Sequence, residues 1–259
     1  MFRRFDAAAR RVVPGALALA VFAQTIVAGQ GANPSGSEVV ARHVAAVGGE
    51  AAQKAVNSLR VTGRFEIPAQ SLAGDLQIDW ARPARRVLHV TIPGIGTISV
   101  GYDGRVGWSI DPAQGPALIT GRQLSELADE AWFDGVLRGS DHVKEVTTLD
   151  RVEFDKRPAY KVSITYVSGN QEVAYYDVES GLHIGLEAQR TSQLGTTPTV
   201  AFFREYRKFG ALSFPTVVSQ RTLGIEQLLR IASVEYDVVP PGTFELPAPI
   251  KALVKGGRD

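Results

Sequence analysis

Tyr102-Asp103-Gly104-Arg105-Val106-Gly107-Trp108-Ser109-Ile110-Asp111-Pro112 decides the fold of this 259-residue chain. Asp-Gly between alternating apolar residues is a strong hairpin signal, and a type I′ turn at that dipeptide needs positive φ at both central residues. Upstream the same two-residue period already runs. Leu59, Val61, Gly63, Phe65 and Ile67 point one way, with Arg60, Thr62, Arg64 and Glu66 the other. Leu72, Gly74, Leu76, Ile78 and Trp80 repeat the pattern, Arg82-Pro83 breaks it, and Leu88, Val90 and Ile92 resume it. Pro93-Gly94 turns the chain into Ile98, Val100 and Tyr102, which lead to the hairpin. One wet and one dry face per strand is the pattern of an antiparallel sheet packed on one side.

Downstream, Leu124, Leu127, Ala128, Ala131 and Trp132 fall at helical spacing, predicting a helix within 122–137 that lies across the apolar face as a lid. Strands then return at Val152 and Phe154, 160–166, 173–175, 182–186, 200–206, 217–222 and 228–236, punctuated by Ser168-Gly169-Asn170, Ser180-Gly181 and Phe209-Gly210. Ahead of the sheet, Ser35-Gly36-Ser37-Glu38 reads as a capping box opening one helix, and Glu50 to Asn57 as a second. The fold expected is therefore mainly β (α+β): an incomplete antiparallel β-barrel, or strongly curved sheet, of about 11–12 strands covered by a few helices. Residues 33–250 form one half-barrel domain in this reading, and 251–259 a flexible tail.

Arg3, Arg4, Arg10 and Arg11 precede an apolar run from Val12 to Ala28, broken at Pro14-Gly15 and followed by small residues. This reads as a cleavable signal peptide, 1–28, with the cut somewhere within 28–32. An uncleaved anchor is the alternative. Phe5-Asp6 is a poor continuation for a twin-arginine signal. With no cysteine there is neither a lipobox nor a disulfide, so a soluble periplasmic protein is expected. Removing 1–28 leaves 24 basic and 26 acidic groups, a net charge of −2. That surface lacks the electrostatic footprint of a nucleic-acid binder.

The stretch Gly74-Asp75-Leu76, then Arg82-Pro83, then Asp103-Gly104-Arg105-Val106-Gly107-Trp108 through Asp111-Pro112 resembles the periplasmic outer-membrane lipoprotein carriers of the LolA/LolB-like superfamily. The hairpin matches at every position of the family spacing Asp-Gly-x-x-x-Trp ending in Asn/Asp-Pro. Tyr176-Asp177 before Ser180-Gly181-Leu182, and Phe214-Pro215, look like uncharacterised members of the wider group. The resemblance implies a helix-lidded half-barrel with a hydrophobic cavity for acyl chains and no catalysis. It also implies that Arg82 tethers the lid, although two more residues separate Leu76 from Arg82 than in the carriers.

Candidate ligand-binding residues are Trp80, Arg82, Leu88, Val90, Ile98, Val100, Trp108 and Trp132. An indole offers a large apolar surface with a polar N–H to orient a headgroup. Core packing is the plain alternative for the three tryptophans and for the aliphatic four. For Arg82 it is an exposed arginine before a proline. Neither a catalytic group nor a metal or cofactor site is expected. The histidines at 43, 89, 142 and 183 have no close metal spacing, and Asp141-His142 cannot face each other. Glu126, Asp129 and Glu130 read as a solvated helix face, and Gly94-Ile95-Gly96 as a loop. The expected function is binding of lipid or lipoprotein acyl chains, with a carrier or sorting role to the outer membrane, by a monomer that touches the membrane surface transiently. An envelope sensor or interaction module with a protein partner is the alternative, and a hydrolase the third reading.

Overall fold

The structure, a computed structural model, describes residues 33–134, 142–192 and 195–256. The expected signal peptide lies outside them. Two short helices come first, α1 (Gly36–Ala46) and α2 (Glu50–Ala55). The capping box closes as the sequence predicts: Ser35 Oγ accepts the Glu38 N–H at 3.3 Å, and Glu38 Oε2 accepts the Ser35 N–H at 2.7 Å.

Six strands follow: β1 (Ser58–Ile67), β2 (Leu72–Ala81), β3 (Arg85–Ile92), β4 (Gly96–Tyr102), β5 (Gly107–Asp111) and β6 (Gly115–Ile119). Helix α3 (Gly121–Ala131) separates them from β7 (Val143–Phe154), β8 (Arg157–Tyr166), β9 (Gln171–Asp177), β10 (His183–Ser192), β11 (Gly195–Phe209), β12 (Leu212–Thr222) and β13 (Ile225–Tyr236). A last helix, α4, spans Ala248–Gly256. All strands join one antiparallel sheet in the order β6-β5-β4-β3-β2-β1-β13-β12-β11-β10-β9-β8-β7. Two consecutive meanders are thus sewn together through the β1·β13 pair, and β6 and β7 remain as edges. The sheet curls without closing. The chain between the two edges is α3, which contacts β4 and β5 on one side and β10 on the other.

Register sorts the side chains into an inner face under α1 and α3 and an outer face. Leu59, Val61, Leu76, Ile78, Val90, Ile231 and Val234 form the inner core of the central strands. Val39 and Val40 of α1 pack on Val143, Val162, Ile164 and Tyr176 of the second meander. Two glycines allow the helices to approach. A Cβ at Gly36 would lie 2.6 Å from the Val146 carbonyl oxygen, and one at Gly107 would lie 2.7 Å from Leu124 Cδ1 of α3.

Several details differ from the sequence reading. Gly104 has φ 105°, but Asp103 does not share a positive φ, so the turn is not type I′. Asp103 Oδ1 instead accepts the N–H groups of Arg105 (2.8 Å) and Val106 (2.7 Å), closing a longer loop with a side chain. The expected helix at 122–137 ends at Ala131, and residues 135–137 lie outside the described residues. Strand β6 and the first half of β7 carry too little apolar alternation to have been read. The expected flexible tail at 251–259 is helical through Gly256: Pro249 sits in the first turn, where its missing N–H does no harm, and Ile250 and Val254 face the sheet.

Candidate functional site

Between the inner face and the segment that follows α3 lies an apolar cleft of about 410 Å³. Its walls are Leu59 and Val61 of β1, Ile78 and Trp80 of β2, Val218 of β12, and Leu229, Ile231 and Val234 of β13. Trp132 and Phe133 cover it, and Tyr176 and His43 close its far side. A smaller compartment of about 180 Å³, lined in addition by Gln53, Val56, Tyr206 and Leu212, adjoins it through the shared residues His43, Leu59, Phe133, Asp134, Phe214 and Pro215.

The cover is tethered by Arg82, which stands where β2 ends. Its Nε donates to the Val56 carbonyl at 2.7 Å and one Nη to the Gln53 carbonyl at 2.8 Å, while the other Nη pairs with the Asp134 carboxylate. The guanidinium also sits 4.7 Å from the centre of the Phe133 ring. One side chain therefore joins α2, the sheet and the segment after α3. The Phe133 N–H donates to the Pro83 carbonyl at 3.0 Å, and Trp132 bridges Ala84.

Helix α3 is held differently on its two sides. Towards β5 and β6 it rests Leu124 and Leu127 over Gly107 and Ile119. Towards β9 and β10 the contacts are polar. Glu126 accepts from the Thr191 N–H (2.7 Å) and hydroxyl (2.9 Å), Asp129 accepts from Ser168 Oγ and Asn170 Nδ2 (both 2.7 Å), and Glu130 pairs with Arg190 at 3.2 Å. The carboxylates expected to be a solvated helix face thus bind the second meander. Glu126 is buried, and although desolvation opposes it, bonds from Thr191 and Arg122 hold its pKa below the usual value. Burial raises that of Glu172, which accepts from the Tyr166 hydroxyl at 2.7 Å.

The sequence-predicted site residues separate into groups. Trp80 and Trp132 line the cleft; Trp80 Nε1 donates to the Glu130 carbonyl at 3.4 Å, and Trp132 stacks on His142 at 4.6 Å. Leu88, Val90 and Ile98 pack against the inner core, with Val100 opposite Leu88, but these four stand beside the cleft rather than on its wall. Trp108 is on the other side of the sheet. It pairs with Gly101, which lies opposite Val87, and it packs with Phe244 and Ile250 on the outer face, so it cannot meet a ligand in the cleft. The register placed it there: with Tyr102 opposite Gly107, Trp108 falls opposite Gly101 and so on the face of Val87. Sequence reading missed Val218, Leu229, Phe214 and Phe133 as wall residues. Leu59, Val61 and Ile78 were legible as sharing a face with Trp80.

His43, His142 and His183 face the inner side and His89 the outer face against Ser99, and no metal cluster forms among the described residues. His43 Nδ1 accepts the backbone N–H of His183 at 3.2 Å. Burial lowers the His43 pKa to about 4; burial and then the nearby His43 lower that of His183 to about 3. His142 Nδ1 lies 3.9 Å from Asp129 Oδ1, a carboxylate–imidazole pair, but the Ser168 hydroxyl donates to that same carboxylate and not to the imidazole. A nucleophile in line with the pair is lacking among the described contacts.

No family model matches the sequence, and no curated protein sequence matches it either. Solved structures do match. A LolA superfamily protein of Nitrosomonas europaea is similar over 83% of this chain and 99% of its own, at 12% identity and a TM-score of 0.53. A DUF1329 family protein of Desulfovibrio piger is similar over 84% of this chain and 100% of its own, at 12% identity and a TM-score of 0.56. At such identity the likeness is one of backbone. The chain has the LolA-like fold, an incomplete antiparallel barrel with helices over its open side.

Proposed function

We propose that this protein binds lipid, or the acyl chains of a lipoprotein, in the cleft beneath α3, and that it serves in the periplasm as a carrier between membrane surfaces. The observation that carries the reading is the unfilled apolar cleft itself. Its volume of about 410 Å³ falls among those of small-molecule sites, and its wall is aliphatic and aromatic. Burial of hydrocarbon supplies the affinity: at ~0.8 kcal/mol per CH₂, a chain of about fourteen carbons gives on the order of 10 kcal/mol before ordering costs. Nothing in this scheme asks for bond chemistry, so binding alone is the activity proposed. Exposed Ile95, Val167 and Leu223 project from the β3–β4, β8–β9 and β12–β13 turns, which antiparallel order puts at one end of the sheet, and these suit brief contact with a lipid surface.

The alternative, recognition of a protein partner by strand addition, finds less support at the edges. β7 carries Lys144, Glu145, Asp150, Arg151 and Glu153 and two register irregularities, devices that discourage pairing. Purification of the protein from its native envelope, followed by solvent extraction and mass spectrometry, tests the proposal. Acyl lipid in stoichiometric amount is the expected result. Protein that arrives free of lipid and fails to take up a fluorescent acyl ester refutes it.

A further inference from the structure

We propose that the smaller compartment is the head pocket of the cleft, an assignment that rests on the acyl-cleft reading above. An acyl ligand sets an uncharged, hydroxyl-bearing head there, against Gln53, Asp134 and Tyr206, and lays its hydrocarbon along the larger compartment. The two compartments differ in what their polar groups have left to offer. In the larger one Trp80 Nε1 donates to the Glu130 carbonyl, the Glu130 carboxylate pairs with Arg190, and the Tyr176 hydroxyl is enclosed by protein. His43 borders both and is engaged at each ring nitrogen: Nδ1 accepts the His183 backbone N–H, and its own N–H goes to the Gly181 backbone. Gln53 borders only the smaller one. Its backbone carbonyl serves Arg82 and the Val56 N–H, and its side-chain amide has no hydrogen-bond partner among the described residues. The Tyr206 hydroxyl gives its proton to the His183 carbonyl at 2.7 Å and keeps lone pairs to accept another.

Charge decides which head fits. The smaller compartment is lined by the Asp134 carboxylate and by no lysine or arginine among the described residues, and burial keeps His43 neutral at pH 7. A phosphate or carboxylate head would therefore meet a like charge and no cation to offset its desolvation. An ammonium head would meet a carboxylate whose charge Arg82 already balances, with that guanidinium close by, 4.7 Å from the centre of the Phe133 ring. A hydroxyl suits all three groups. It can accept from the Gln53 amide N–H and donate to the Asp134 carboxylate or the Tyr206 oxygen. The volume of about 180 Å³ holds roughly six water-sized groups at ~30 Å³ each, the size of a glyceryl head.

Displacement of a bound fluorescent acyl ester at pH 7.5 by 1-lauroylglycerol, methyl laurate, laurate and dodecylamine separates these cases. The glyceryl ester should bind roughly three- to tenfold more tightly than methyl laurate, the value of one buried neutral hydrogen bond, and more tightly than either charged compound. In Gln53→Leu that preference should fall to within about twofold. Methyl laurate measured on the same variant is the reference, so a change in the wall itself cancels from the ratio. In the unmodified protein the side-chain ¹⁵N–H₂ resonances of Gln53 should move when 1-lauroylglycerol is added, and the Val218 and Leu229 methyl resonances should move with both esters. Equal binding of the two esters, a glyceryl preference that survives Gln53→Leu, an unmoved Gln53 amide, or tighter binding of laurate or dodecylamine would overturn the head pocket while leaving the cleft standing. Failure of all four compounds to displace the fluorophore, with the Val218 and Leu229 methyls unmoved, would instead overturn the acyl-cleft reading, and the head pocket with it.

Discussion

Strands β2 to β5 are apolar along the inner face and carry a smaller apolar patch at one end of a mostly polar outer face, and the chain treats the two in opposite ways. On the outer face Trp108, Val87 and Ala81 are sealed by Phe244 and by Ile250 of α4, with Trp108 3% and Ile250 0% exposed. A Cβ at Gly101 would fall 2.3 Å from the Trp108 ring, so the indole lies flat on bare backbone. On the inner face, the cover is tied down chiefly by hydrogen bonds and ion pairs, and it leaves a cleft above Ile78 and Val61. A tight apolar seal makes the outer side a permanent core. A polar-tethered roof makes the inner side a place where something else can complete the packing.

The largest break in that contrast should come from Trp108→Ala, which removes the central side chain of the sealed face. A loss of about 3–5 kcal/mol in urea unfolding is expected, with acyl binding per folded molecule unchanged. Next comes Arg82→Ala. Three acceptors lose their donor at once, so about 2–3 kcal/mol should disappear, together with retention of bound acyl probe. Arg82→Lys should restore little, because an ammonium cannot span the three acceptors as the guanidinium fork does.

Acid should act on the inner side first. His43 and His183, both on that side, have pKa values lowered by burial to about 4 and about 3, so between the unfolded value near 6.5 and these values the unfolded chain binds more protons. Stability is then fully present above pH 6.5 and declines as the pH falls towards 4. Urea midpoints measured across that window should drop, and H43F/H183F should flatten the slope. Least costly to the fold should be Val218→Phe, which grows into the cleft. Because room is waiting, stability should move by less than about 1 kcal/mol, against the ~1–3 expected where a core is full. Binding of an acyl probe should nevertheless weaken by at least roughly tenfold. A destabilisation as large as that from overpacking the outer face would show that the two sides are equally filled.

Much of this arrangement was legible from the residues. Alternation in β1 to β4 gives the correct inner set, because each residue's face follows from parity alone. Parity carries across the hairpin as well: a two-residue turn at Asp103-Gly104 would set Trp108 opposite Ser99, and the observed loop sets it opposite Gly101 on the same outer face. Trp108 was misplaced by grouping it with Val100 for its apolarity, because a tryptophan in an alternating strand announces burial without saying on which side. The α4 helix was hidden by Pro247 and Pro249, because a proline stands as readily past the end of an element as in the first turn of a helix. The cleft's wall draws on β12 and β13, more than a hundred residues beyond Trp80. Only the sheet order brings Val218 and Leu229 to it, and sheet order is not written in any local pattern.

The seam between β1 and β13 bears on how the molecule is made. Thr62 and Ser233, whose hydroxyls meet at 2.7 Å, are 171 residues apart in the chain. A polypeptide delivered amino end first can assemble each meander by nearest-neighbour pairing as it emerges. Strand β1, however, must wait with one flank bare until nearly all the rest has arrived. During that interval the greasy trough is split in two and open along its midline, which makes the newborn protein, rather than the finished one, the form most in need of a chaperone.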